Sequence, residues 1–206
     1  MASIPQAIPE WEKIEAAHTK KIVDPRDNKE YTAICIDGVW WLAENLRYST
    51  LGAICLDGQY YYDQQSAQDA VIEGWRLPSK KDFENLNKWS TKHSIQKNPG
   101  GVSLKSQEWK PNEAIRRILG GTDDFGFNAK PSGMMIVGLD KILRKDEAFY
   151  WTSSVINENS AYCACLSSSD NELDITSMSK DYCLALRLVC DHLPDSKSSL
   201  DDEDIN

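Results

Sequence analysis

Hydrophobic and polar positions follow a helical spacing early in this chain and a strand-like spacing late in it. From Pro9, the apolar residues Trp11, Ile14 and Ala17 fall on one narrow stripe, which predicts a helix over residues 9–19 with proline in its first turn. Tyr31 to Ile36 is rich in β-formers, Asp37-Gly38 has the residues a type I′ turn demands, and Val39 to Leu42 reads as the returning strand. This stretch, "AICIDGVWW", nearly recurs 20 residues later as "AICLDGQYY", Ala53 to Tyr61. After the second copy, Ala67, Ala70 and Val71 take helical spacing and Gly74 offers a stop. The second Asp-Gly is therefore expected to lead into a helix rather than back along a strand. Two copies with different continuations do not make a solenoid, which needs at least three repeats to bury a continuous face.

The sharpest local signal is "RLPSKKDFENLNKWS". Pro78 blocks helix before it, Ser79 can cap the free amides, and Asp82 completes an S-x-x-D box. Phe83, Leu86 and Trp89 then form the buried stripe of a second helix, which "HSIQKNPGG" ends as loop. "PNEAIRRILGG" suggests a short third helix between Pro111 and Gly120. From there to Cys190 the helical spacing disappears, and "FGFNAKPSG", "FYWTSS", "AYCACLSSS", "LDITSMS" and "YCLALRLVC" read as short strands between polar turns. Helices early and antiparallel strands late predict an α+β domain.

Composition narrows this picture. The 206 residues suit one domain plus extensions, and a hydrophobic share of 41% is enough for a core. The net charge of −9 comes partly from the tail after residue 194, where Asp195, Asp201, Asp202, Glu203 and Asp204 face only Lys197. That tail reads as a disordered, solvating segment. An acidic chain without a basic stripe is a poor partner for phosphates, so nucleic acid is not expected. The first residues lack a basic region followed by an apolar one, and no apolar run is long enough to span a bilayer. The expectation is cytoplasmic synthesis without a signal peptide and no membrane insertion, with the six cysteines reduced and mostly buried.

Six segments, "VWWLAENLRY", "EGWRLPSKKDFENL", "SLKS", "GTDDFGFNAKPSG", "FYWTSS" and "LALRLV", stand in an order and spacing that resemble the Fibrobacter succinogenes major paralogous domain family. The resemblance covers residues 22–191, leaving residues 1–21 as a helical extension and residues 192–206 as the acidic tail. It implies a C-type lectin-like fold: two main helices flank twisted antiparallel sheets, and the chain ends lie on neighbouring strands. The N-terminal strand, held in the first hairpin, is then expected to pair with the final strand, "CLALRLVC". Family members are commonly secreted behind a lipoprotein signal, and this sequence departs from that pattern.

The candidate chemistry is sparse. Asp123 and Asp124 in "GTDDFGFNA" suit half of a hard-cation site. The preferred reading has one Asp accepting backbone N–H groups while Phe125 and Phe127 fill the core. The resemblance to calcium-dependent lectins does not extend to their Glu-Pro-Asn, Gln-Pro-Asp or Trp-Asn-Asp tripeptides, so no metal is expected. Cys163 and Cys165, with Cys183 and Cys190 downstream, have the number of thiols a zinc site needs, but C-x-C on a strand is also the spacing of two core-facing thiols. Formylglycine-generating enzymes, distant relatives by fold, use a cysteine pair near the C-terminus. The residues flanking Cys183 and Cys190 do not match theirs, which leaves that oxidoreductase as the third reading. His18, His93 and His192 cannot be placed beside a nucleophile. No catalytic residue and no cofactor is expected.

What remains is a surface. Trp151, Asn157, Asn159, Tyr162, Ser168, Asp170, Asn171, Met178 and Tyr182 mix broad aromatic contact with short polar groups, a composition suited to recognition. Related lectin-fold proteins place their ligand surface in this C-terminal region. The expectation is a non-catalytic module that recognises a cell-surface glycan or protein, or neighbouring subunits of a larger assembly such as a phage tail or contractile-injection particle. The alternative is an architectural part anchored by its N-terminal helix.

Overall fold

Asp37 and Gly38 both hold positive φ (52° and 78°), the type I′ geometry that lets strand β2 (Glu30–Ile36) return as β3 (Val39–Leu42). A computed structural model describes residues 19–111, 113 and 118–193. The second Asp-Gly has nearly the same angles, 52° and 77°, and also turns a hairpin, from β4 (Ile54–Leu56) into β5 (Gln59–Tyr61). This corrects the expectation that only the first copy returns as a strand. The turn geometry is set by the two residues that adopt positive φ, whatever follows them. Helix α1 (Gln64–Asp69) begins after Asp63, whose carboxylate accepts the Ser66 N–H at 2.7 Å, and it ends at Ala70, ahead of Gly74.

Two further elements, a first strand and a short helix, were not anticipated from the sequence. The helix expected over 9–19 lies outside the described residues except for Thr19, which opens strand β1 (Thr19–Val23). Antiparallel pairing with β2 holds β1 through its backbone, so an exposed edge strand needs no apolar pattern, and the boundary between residues 21 and 22 falls inside it. Helix α2 (Lys80–His93) keeps the full capping box at Ser79 and Asp82. It is followed by α3 (Gly100–Leu104), where only loop was expected. Glycine disfavours helix, but a Cβ on Gly101 would stand 2.4 Å from the Glu172 carbonyl carbon, so close packing selects glycine there. The helix expected between Pro111 and Gly120 falls largely outside the described residues, and Ile118 to Gly120 are not helical.

The later half is β6 (Met134–Ile136), β7 (Leu139–Leu143), β8 (Glu147–Val155), β9 (Ser160–Ser167), β10 (Leu173–Ser179), β11 (Tyr182–Cys183) and β12 (Val189–Cys190). The sheets are ordered β1-β2-β3-β12, β10-β9-β8, β11-β6-β7 and β4-β5, all antiparallel, so the fold is α+β. "YCLALRLVC" is not one strand. It is β11 and β12 joined by a buried stretch, and β12 pairs with β3, the returning strand of the first hairpin, not with the N-terminal strand as expected: β2 is already paired on both edges, and β1 lies at the far edge of the sheet.

Strands β8 and β9 of the β8–β9–β10 sheet are buried on both faces over most of their length, because alternate residues enter different cores, while β10 is a largely exposed edge. Phe149, Trp151, Ala161, Cys163 and Cys165 face one core together with α1. Ala148, Tyr150, Ala164, Leu166 and Leu173 face the other, where α2 contributes Phe83 and Leu86. A third, small cluster joins Tyr61, Met135 and Cys183.

Candidate functional site

Two-sided burial divides the nine residues expected to bind a ligand. Trp151 is 0% exposed, and its indole N–H donates to the Tyr62 carbonyl at 2.7 Å, so it belongs to the core. Asn157 and Asn159 form the β8–β9 turn, where the Asn157 Oδ1 accepts the Asn159 N–H at 2.9 Å. Ser168, Asp170 and Asn171 form the β9–β10 turn at the opposite end of an eight-residue strand, about 25 Å away at the usual rise. Tyr162 pairs with Ser177 and Ala161 with Met178, which puts Tyr162 and Met178 on opposite faces. Met178 and Tyr182 pack at the edge of the first core, near Asn159, whose carbonyl accepts the Lys180 N–H. The nine residues do not converge.

The polar turns are engaged in local structure. The Asn171 Oδ1 accepts the Leu119 N–H at 2.8 Å, and the Ser168 hydroxyl donates to Asp146 at 2.8 Å. In the Asp pair, Asp123 accepts the Asn128 N–H at 2.7 Å while Asp124 accepts from the Ser94 hydroxyl and the Ile95 N–H, both at 3.0 Å. Phe127 is fully buried beside them, and Phe125 meets Trp89 edge-on at 4.9 Å. Among the described residues no three His, Cys, Asp or Glu side chains are grouped to hold a metal ion. Cys163, Cys165 and Cys190 lie in one core and Cys183 in another, so Cys183 and Cys190 do not form a pair. Burial pushes the Cys163 and Cys165 thiols up to about 12 and Cys183 up to about 11, the opposite of an activated nucleophile.

A different residue organises a strongly polar interior site, and it was not singled out from the sequence. In "LALRLV", Leu184, Leu186 and Leu188 alternate into the first core while Ala185 and Val189 enter the second. That alternation points Arg187 between Phe127 and Tyr150, with its guanidinium carbon 4.8 Å and 5.5 Å from their ring centroids. Arg187 is 1% exposed. Its Nε donates to Asn45 Oδ1 at 2.9 Å, Nη1 to the carbonyls of Leu42 (2.9 Å) and Phe127 (2.7 Å), and Nη2 to that of Asn128 (3.0 Å). Burial lowers its pKa from the ordinary arginine value, opposed by Tyr150, Asp123 and Glu44, and a guanidinium remains charged regardless. It makes no ion pair among the described residues. The available sequence signal was a lone charge inside an apolar run, which in a buried strand demands several partners.

Arg187 forms part of the lining of an open cleft of about 320 Å³, with Glu44, Asn45, Arg47, Tyr60 and Lys130 around it. The segment after β3 supplies residues 44–47, the second Asp-Gly hairpin supplies Tyr60, and the strip after Phe127 supplies Lys130. Asn128 also borders an adjacent cleft of about 420 Å³ that holds Ser106 and Asp123. Burial raises the pKa of Asp123. The Arg47 backbone N–H donates to the Tyr31 hydroxyl at 2.9 Å, and its guanidinium pairs with Glu44 at 3.3 Å. Lys130 pairs with Glu108 at 2.7 Å across the ridge between the clefts. Chemically the first cleft offers an aromatic ring, amides and fixed cations, a set suited to holding a polar ligand.

Comparison of the chain with protein-family models, with curated proteins and with solved structures returns no match.

Proposed function

We propose that this chain is a non-catalytic recognition domain of C-type lectin-like architecture, of the Fibrobacter succinogenes major paralogous kind. It holds a glycan or a protein partner without metal, at a cell surface or within an assembly such as a phage tail or injection particle. The pairing of β12 with β3, which brings the C-terminal strand into the same sheet as the first three strands, and the packing of α2 on an antiparallel sheet support the architectural part of this reading.

The observation that carries the binding part is the rigidity of the cleft around Arg187. Four hydrogen bonds from that one side chain fix Asn45, the end of β3 and the Phe127–Asn128 backbone before any ligand arrives. Walls ordered in advance lower the entropic cost of binding, and Tyr60 with the amides of Asn45 and Gln59 gives the mixed surface that a sugar or peptide requires. The binding site moves accordingly from the β8–β10 region to this cleft.

A glycan array and a cell-binding assay with four variants test the reading. Tyr60→Ala and Gln59→Ala should weaken binding at least tenfold, while Tyr162→Ala and Tyr182→Ala leave it unchanged. The reverse pattern would return the site to the C-terminal strands. A wild-type protein that retains no glycan and no cell would end the recognition reading.

A further inference from the structure

Resting on the reading of this cleft as a ligand site, we infer that its ligand is a sugar ring bearing a carboxylate. The cleft gathers three cations, Arg47, Lys130 and Arg187, against the single carboxylate of Glu44, on a chain whose net charge is −9. The cations are not equally satisfied. Arg47 pairs with Glu44 and Lys130 with Glu108, but Arg187 donates only to neutral oxygens, and the Asp123 and Glu44 carboxylates act on it from beyond ion-pair distance. A buried ion hydrogen-bonded only to dipoles still attracts an opposite charge, and it does so strongly where water is partly excluded. The Arg47 Nε is buried as well and has no acceptor among the described residues. An anionic group in the cleft would meet the exposed ends of Arg47 and Lys130 and feel the field of Arg187 behind them.

The rest of the lining selects the body that carries the anion. At about 320 Å³ the cleft lies at the lower end of the range for ligand sites, roughly 300–1,000 Å³, so it suits a single ring rather than an extended chain. Tyr60, half-buried, offers its ring to the C–H face of a pyranose, while Asn45 and Gln59 have amides suited to its hydroxyls. A bare phosphate would leave the apolar lining unused, and an acidic peptide would leave the amides without hydroxyls to read.

The test is titration calorimetry of the full chain with glucuronate and glucose, alongside inorganic phosphate and a glutamate-rich peptide. Glucuronate should bind at least tenfold more tightly than glucose. Lys130→Gln and Arg47→Gln should each weaken it at least fivefold, and the difference should shrink as salt is raised. Thermal unfolding of both variants within a few degrees of wild type shows that the loss is not misfolding. Equal affinity for glucose and glucuronate overturns the acid requirement while leaving a sugar-binding cleft in place. Tighter binding of phosphate or of the peptide overturns the sugar, and glucuronate binding indifferent to both variants overturns the location. A wild-type protein that binds none of the four overturns the inference, and a blank glycan array and cell assay beside it removes the recognition reading too.

Discussion

The Lys105 ammonium donates to the Ser167 carbonyl at 2.7 Å and to the Asp170 carbonyl at 2.5 Å, tying the end of α3 to the β9–β10 turn. Lys105 is 0% exposed and forms no ion pair among the described residues. Burial brings its pKa down to about 8 from 10.5, against the pull of Asp170, Cys165 and Asp174. Between those two values the unfolded chain binds more protons than the folded one, so this group adds stability as pH rises. Lys105→Met removes both hydrogen bonds and should cost about 2 kcal/mol at pH 7. The stability gap between wild type and variant should widen from pH 8 to pH 10 in urea titrations. A gap that stays constant or narrows would show that the amine is not held in this way.

The buried thiols act with the opposite sign. Cys163, Cys165 and Cys183 keep their protons to about 12, 12 and 11 when folded but release them near 9.0 when unfolded. The folded state then binds more protons above pH 9, and stability should fall with pH there by up to about 1.4 kcal/mol per unit for each thiol. A disulfide reagent provides a second reading at neutral pH. Cys55, which is exposed, should react at once, whereas the four buried thiols, Cys163, Cys165, Cys183 and Cys190, should react only at the rate of unfolding.

The Ser79 Oγ accepts the Asp82 N–H at 3.1 Å, and the Asp82 carboxylate accepts the Ser79 N–H at 2.6 Å. Ser79→Ala removes the first bond, and with it the one the Ser79 hydroxyl donates to the Asp82 carboxylate at 2.7 Å, and should cost about 1 kcal/mol, seen as a Tm lower by roughly 2–4 °C in a calorimetric scan. An unchanged Tm would mean that α2 is held by Phe83 and Leu86 alone.

Gly38 and Gly133 both have positive φ, 78° and 66°, but differ in the space around them. A Cβ on Gly38 would meet nothing within 4 Å, whereas one on Gly133 would stand 2.4 Å from the Leu143 carbonyl oxygen and 2.6 Å from the Ile142 side chain. Gly38→Ala should therefore cost only backbone strain, about 1 kcal/mol, and Gly133→Ala about 3 kcal/mol or more. Chemical denaturation of the pair separates the two effects, and equal losses would contradict the packing around β6 and β7.

Where a few neighbouring residues decide the outcome, the sequence was legible. The capping box at Ser79, the first Asp-Gly hairpin and the antiparallel strands after residue 120 were all readable. So was the shared face of Cys163 and Cys165, because alternation on a strand is a local rule. The second hairpin was misread because the helical spacing at Ala67 and Ala70 was extended back to the turn. In fact the chain first pairs Gln59–Tyr61 with β4. Strand β1 and helix α3 left no signal, since one is held by backbone pairing at an edge and the other by glycines packed against a distant turn.

The chain's own order of residues determined its α+β character, its turns and caps, and which side chains share a face, since sterics and hydrogen bonding act across a few residues. Only the tertiary structure decided what stands opposite each face. It buried Trp151, spread the expected binding residues over two faces and two ends of one sheet and onto β11 of another, and brought residues 44–47, Tyr60, Lys130 and Arg187 together around one cleft. A charge inside an apolar run shows that partners must exist. Long-range packing alone chooses them, because Arg187 reaches Asn45 across 142 positions of chain.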